Sequence, residues 1–366
     1  MAFYYIIWEV VICVLAAIWG IAAEPQLEVC FFSTGQGNCI ALRSDVVSRN
    51  VGIESKLIFI DCGRGKKAES CEGFLRDWSK YPGKKLRNLF KGVSVCEILI
   101  THNHVDHDNL VGLVAEVGRL EGCSVLAPIR PMSLETFSGY PENPRDANKL
   151  SRAKELEKDW STFQGALSRR IGDSLGPYVR VVPIRPKRWQ KITPHEHEFN
   201  MMYLVEFAGR RILFTGDINP QLFMQIIKDP KYEREIGGVD FLIMPHHGSN
   251  RSGELMTKAA INAEMCIFCS DPKDIDNLPW KGIVGFRFKM GNGIITKGHR
   301  VSRKREDGVK EGRGENVEIQ EETSPIFVTC DAAQGYYELV ITANGTARLF
   351  DGPTARGSGN FCFQSL

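Results

Sequence analysis

Apolar positions in this chain come in short bursts from residue 27 onward. LEVCFFSTGQGNCIAL (27–42) reads as a strand, a glycine turn and a second strand, and KLIFIDCG (56–63) as a strand that ends on Asp61. The period then changes: Phe74, Leu75 and Trp78 fall at helical spacing. VCEILITHNH (95–104) predicts a strand, NLVGLVAEVGRL (109–120) an amphipathic helix, and CSVLAPI (123–129) a further strand. Residues 131–175 are polar and helical in tendency, an insertion placed to wall or cover a site. Strands resume at YVRVVPI, NMMYLVEFAG, RRILFTGDI and VDFLIMPHHGS, with helices over 219–229 and 252–263. Residues 297–323 mix both charge signs without aromatics and read as a mobile solvated loop. The closing PIFVTCDAAQGYYELVITANGTARLF predicts antiparallel strands around an Asn-Gly turn. Strands and helices mix from end to end. The pattern therefore predicts one α/β domain with insertions over 26–355, followed by a tail at 356–366.

Residues 3–23 stand apart. They are almost wholly apolar, with Glu9 as the one acid. The length just suffices to span a bilayer, which takes about 20 residues. Gly20, Ala22 and Ala23 lie where a signal peptide is cut, although no Lys or Arg precedes the apolar run. Residues 1–23 thus read as a cleaved signal or an uncleaved anchor, with a buried N-terminal helix as a third reading. The first two imply a secreted or membrane-anchored protein that meets the membrane through this segment alone.

The formal net charge of the 366 residues is +2, which excludes a strongly electrostatic nucleic-acid binder. Removing a signal peptide takes one of eleven cysteines and leaves ten, a number compatible with disulfides. Cys266 and Cys269 form one isolated C-x-x-C inside an apolar run and read as buried thiols rather than half of a zinc site.

The chemistry concentrates in ILITHNHVDHDNL (98–110). Of eight histidines in the chain, three lie here, at His102, His104 and His107, beside Asp106 and Asp108. Alternate residues of an extended chain face one way, so His102 and His104 can hold one cation. The turn that follows swings Asp106 and His107 toward a second. Imidazole with carboxylate suits Zn²⁺, and also Mn²⁺ or Fe. Asp108 reads as facing water, with tuning of the second cation as the alternative.

The H-x-H-x-D-H cluster resembles the signature of the metallo-β-lactamase superfamily. ILFTGDI (212–218) and FLIMPHHGS (241–249) are similar to its later elements. VCFFSTGQGNCIAL, LIFIDCG, LFTGD and HHGS together resemble the hydrolase domain of the DNA-internalisation competence protein. Thr34-Gly35-Gln36-Gly37 stands where that branch has its glycine turn. The resemblance covers roughly 27–350, but the competence protein's membrane channel is absent. It implies an αββα four-layer sandwich whose strand-end loops hold two divalent metal ions. It implies that Asp217 bridges them and that one of His246 and His247 is a ligand. It implies a third metal histidine ahead of the TGD strand. His197 is placed for that role, His195 is the second choice, and Asn200 stands nearby.

The expected metal set is therefore His102, His104, Asp106, His107, His197, Asp217 and one of the pair His246/His247. The other member of the pair is left to donate to a developing oxyanion. Asp106 is also placed to orient a water or shuttle its proton. Asp61 reads either as an acceptor for a ligand histidine or as a turn residue before Gly63. Ser249 reads as a helix cap or a substrate contact. Two cations sharing a water make a hydroxide nucleophile near neutral pH. The implied function is hydrolysis of an ester, first a phosphodiester: nucleic acid, nucleotide or phosphocholine type. Thioesters and lactones are alternatives, and a binding or regulatory protein with reduced turnover is the rival from another class.

Overall fold

The computed structural model describes residues 25–48, 52–65, 69–130, 178–184, 200–249, 263–271, 326–332, 334–352 and 361–363. Residues 1–23, 131–175, 252–262 and 297–323, together with His195 and His197, lie outside them. No helix among the described residues is long and apolar enough to cross a membrane.

The strands are β1 (Gln26–Phe32), β2 (Cys39–Ser48), β3 (Gly52–Cys62), β4 (Val93–Leu99), β5 (Ser124–Val125), β6 (Val179–Ile184) and β7 (Met202–Phe207). They continue with β8 (Arg210–Phe214), β9 (Phe241–Ile243), β10 (Met265–Phe268), β11 (Ile326–Val328), β12 (Tyr336–Thr342), β13 (Ala347–Asp351) and β14 (Phe361–Phe363). The helices are α1 (Glu69–Arg76), α2 (Tyr81–Phe90), α3 (Val105–Asp108), α4 (Val111–Leu120), α5 (Pro220–Ile227) and α6 (Pro230–Ile236).

Two mixed sheets result, in the orders β14-β13-β12-β1-β2-β3-β4-β5 and β11-β10-β9-β8-β7-β6. Strand alternation decides how they stack. Leu27, Val29 and Phe31 of β1 point into the space between the sheets, where they join Tyr203, Val205, Ile212, Phe214, Phe241 and Ile243 of the smaller sheet. Cys30 and Phe32 point the other way, onto Leu86, Leu89, Phe90, Val114 and Val117 of α2 and α4. On the far side, Leu204, Leu213, Leu242 and Phe268 meet Phe223, Ile226 and Ile236 of α5 and α6. The layers are helix, sheet, sheet, helix, the αββα sandwich expected from the sequence.

Three local features add to or alter the expectations. The segment YPGKKLRNLF (81–90) forms α2, because Pro82 falls in the first turn, where its missing N–H costs nothing. Residues beyond 355 are not only a tail, since β14 pairs antiparallel with β13 and adds an edge strand to the larger sheet. Cys30, Cys39, Cys62, Cys96, Cys123, Cys266 and Cys269 are buried thiols outside any disulfide. Cys266 and Cys269 are buried in opposite faces of the smaller sheet, as strand geometry requires of residues three apart.

The strand ends set the site. β3 and β4 run parallel in one sheet, and β8, β9 and β10 run parallel in the other. Their C-terminal ends form one rim. The sheets are tied there by the Tyr203 hydroxyl donating to Ile100 O at 3.2 Å and Met201 N donating to Thr101 O at 2.8 Å. Gly63 lets β3 reach α3: a Cβ there would lie 1.9 Å from Asp106 O.

Candidate metal centre

The end of β3 carries a register shift against β2, between pairs Cys39–Cys62 and Ile40–Ile60. Asp61 is the extra residue, with φ of 58°. A bulge of this kind re-aims a side chain. Here it turns the Asp61 carboxylate inward, where Oδ1 accepts from Thr101 N at 2.7 Å and Oδ2 from the Thr101 hydroxyl at 2.9 Å. Oδ2 also lies 2.7 Å from His107 Nδ1. Asp61 is thus both a turn residue and a histidine partner.

Beyond β4 the chain passes through His102 and His104 and enters α3, which presents Asp106 and His107. Beyond β8, Gly216 takes φ of 56°, and a Cβ there would lie 2.3 Å from Asn200 Oδ1. Asn200 is fully buried; it accepts from Asp217 N at 2.8 Å and donates to Thr215 O at 2.7 Å. Its amide therefore clamps the loop that aims Asp217. Beyond β9, two consecutive left-handed residues, His246 and His247 at φ of 49° and 54°, make a tight turn. Such conformations cost energy and persist where the surroundings over-determine them. The turn drives His247 inward, with Nδ1 2.8 Å from Cys269 O, and leaves His246 about one third exposed.

Two donor groups result, sharing one residue: Asp106, His107, Asp217 and His247; and His102, His104 and Asp217. Asp217 divides its oxygens between them. Oδ1 lies 3.2 Å from His107 Nε2 and 3.4 Å from His247 Nε2. Oδ2 lies 3.9 Å from His102 Nε2 and 3.7 Å from His246 Nε2. His247 Nε2 is also 3.3 Å from Asp106 Oδ2, and His104 Nδ1 is 2.8 Å from Asp106 Oδ1.

The donor set fits divalent cations. His107 Nε2 and His247 Nε2 are buried and make no hydrogen bond among the described residues, while their Nδ1 atoms are engaged by Asp61 and Cys269 O. That is the orientation metal-ligating imidazoles adopt. Burial by itself would raise the Asp217 carboxyl, yet His247, His107 and His246 hold it well below the carboxylate range. Burial would lower His107 and His247, but the facing Asp217, with Asp61 and Asp106, raises both. Both directions report the same thing: the buried carboxylates call for positive charge at the imidazoles, which a divalent cation would supply in place of protons.

Of the residues expected at the site, His102, His104, Asp106, His107, Asp217 and His247 converge. His246 sits at the edge, and Asp61 stands behind His107. Asp108 does not simply face water: its Oδ2 pairs with Arg130 Nη1 at 2.8 Å. Ser249 N donates to His246 O at 2.9 Å, and the helix it was expected to cap lies outside the described residues. Thr101 and the Cys269 carbonyl are support that sequence reading missed. Thr101 is signalled only by preceding His102, and a backbone carbonyl leaves no sequence signal.

No family model and no curated protein matches the chain. Among solved structures, a long-form RNase Z from yeast is 14% identical, over 67% of this chain and 37% of its own, with a TM-score of 0.33. This chain thus spans little more than a third of that RNase Z. A Thermotoga maritima protein described as a zinc-dependent hydrolase of the metallo-β-lactamase superfamily is 11% identical over 82% of this chain and 98% of its own, also with a TM-score of 0.33. Similarity at this level assigns no role to any residue.

Proposed function

We propose that this chain is a metal-dependent hydrolase of the metallo-β-lactamase type, binding two divalent cations, first zinc, and cleaving phosphodiesters. The observation that carries this reading is Asp217. One buried carboxylate offers one oxygen to each of two nitrogen-rich donor groups at a single rim. His102 and His104 would hold one cation with Asp217. Asp106, His107 and His247 would hold the other. When bound, such a pair supplies Lewis acidity and lowers the pKa of a shared water toward 7.

The side chains supply the rest. Asp61 and the Cys269 carbonyl keep His107 and His247 turned with Nε2 toward the rim. Asp106 presents two oxygens between His104 and His247, in reach of a proton leaving the attacking water. Burial pushes the His246 imidazole below its ordinary value despite nearby Asp217. From the edge of the site, His246 would donate an N–H to a phosphoryl oxygen. Likeness to the competence-protein branch is proposed from the glycine turn at 34–37; next to it, Asn38 N donates to Asp106 O at 3.0 Å. An exported or membrane-anchored location is proposed from residues 3–23.

The test is elemental analysis of the full chain, followed by turnover of bis(p-nitrophenyl) phosphate. The reading requires two equivalents of metal, and activity lost both on chelation and in Asp106→Ala. Protein that takes up no transition metal overturns it.

A further inference from the structure

Asp108 closes α3, one residue past His107. Arg130 follows Ile129, which pairs with the end of β4: Ile129 N donates to Ile98 O at 2.8 Å and Ile100 N to Ile129 O at 2.9 Å. Arg130 therefore follows the strand end from which Thr101 and His102 emerge, and its Nη1 meets Asp108 Oδ2 at 2.8 Å, one residue past His107. Burial pushes the Asp108 carboxyl up, with Arg130 opposing the shift.

Two buried or half-buried guanidinium groups are spent on the fold. Arg43 binds Asp45, Ser55 and the carbonyls of Asn88 and Leu89. Arg210 binds Gly345 O, Asp240 and Glu264. Arg130 differs. Among the described residues Asp108 is its one partner, and its side chain is 33% exposed. An ion pair this exposed adds little stability. What it does is fix the direction of a guanidinium whose other N–H groups meet no partner among the described residues.

We infer that Arg130, oriented by Asp108, is the anion anchor of the rim and selects substrates whose phosphoryl group carries a negative charge; the inference rests on the hydrolase reading above. The planar fork matches two phosphate oxygens, which a lysine cannot do in the same way. A phosphodiester offers such a pair in its two non-bridging oxygens, whereas neutral esters and lactones offer none. The anchor adds positive charge at the edge of the centre, where equatorial oxygens need neutralising. Arg130 is a specificity-determining residue on this account. It touches the substrate's charge and leaves the metal donors alone.

Bis(p-nitrophenyl) phosphate and its methyl triester share phosphorus and leaving group but differ by one charge. In metal-loaded full chain, Arg130→Ala should raise KM for the diester by about tenfold or more, the scale of a lost charged hydrogen bond. KM for the triester should stay within about twofold, with metal content unchanged. Arg130→Lys should recover part of the loss. Equal shifts for both substrates, or none for either, overturn the anchor. Diphenyl phosphate binding, followed by calorimetry, gives an arm independent of turnover. If wild-type protein cleaves neither substrate, the hydrolase reading fails. Binding weakened about tenfold in Arg130→Ala still supports the anchor, and unchanged binding overturns it.

Discussion

Replacing Asp61 by Asn isolates the support behind the centre. The two side chains have the same shape, and Asn tolerates the left-handed backbone that Asp61 adopts at φ of 58°. What changes is the acceptor 2.7 Å from His107 Nδ1. Thr101 N needs an oxygen from this residue, which leaves the new NH₂ facing His107. His107 Nδ1 would then have to accept, so its proton would move to Nε2, the atom aimed at Asp217 and at any bound cation. A buried hydrogen bond to a charged group is worth about 1.5–3 kcal/mol, or about 10- to 100-fold in affinity. Loss of a partner behind a metal ligand costs a similar factor, about 10–100. Metal affinity should therefore fall by that factor in a competition titration against a chromophoric chelator. The metal-free melting curve serves as the control for folding. Unchanged affinity in a folded variant would refute the claim that Asp61 sets His107 for a cation.

Three further outcomes follow. His247→Ala should lose metal, while His246→Ala should keep its metal content and lose about 100-fold or more in kcat; elemental analysis with kinetics reads both, and the reverse pattern exchanges their roles. Gly63→Ala should cost about 1–3 kcal/mol in urea unfolding and weaken metal binding, because its methyl would meet Asp106 O; wild-type values would show that β3 and α3 need not approach so closely. Lys85 sits among Glu28 and Glu338, at 3.0 Å from the latter, and is only 14% exposed. Burial opposes its charge, but these carboxylates raise its pKa far above the ordinary lysine value, so its contribution is present at neutral pH and is lost only in strong alkali. Lys85→Met should cost about 3 kcal/mol at pH 7, since it leaves buried carboxylates unpaired. Glu338, whose pKa burial already raises, then takes up a proton more readily folded than unfolded, so the deficit relative to wild type should shrink toward pH 4. An equal deficit at both pH values would count against the triad.

Much of this protein could be read along the chain. The period-two runs of β1, β4, β7 and β8 and the helical spacing of α4 are local signals, because alternation and pitch are properties of the backbone itself. His102, His104, Asp106 and His107 stand in one short stretch, so their common purpose was legible without a fold. Asp217 and the 246–247 pair were recognisable only by their likeness to a known signature. Helix α2 begins with Pro82 and Gly83, poor helix formers, and the packing of Leu86, Leu89 and Phe90 on the larger sheet outweighs their propensity.

The choice between His246 and His247 was never in the sequence. Adjacent identical residues have the same chemistry, and only the left-handed turn against Cys269 O sends one inward. The same holds for Asp61, whose role depends on a bulge, and for Asp108, whose partner Arg130 is brought to it by the pairing of Ile129 with β4. Residue types determined which atoms can bind a cation. Which of them meet was decided by parallel strands from two sheets ending at one rim, because contacts between residues more than a hundred positions apart are set by packing and not by local sequence.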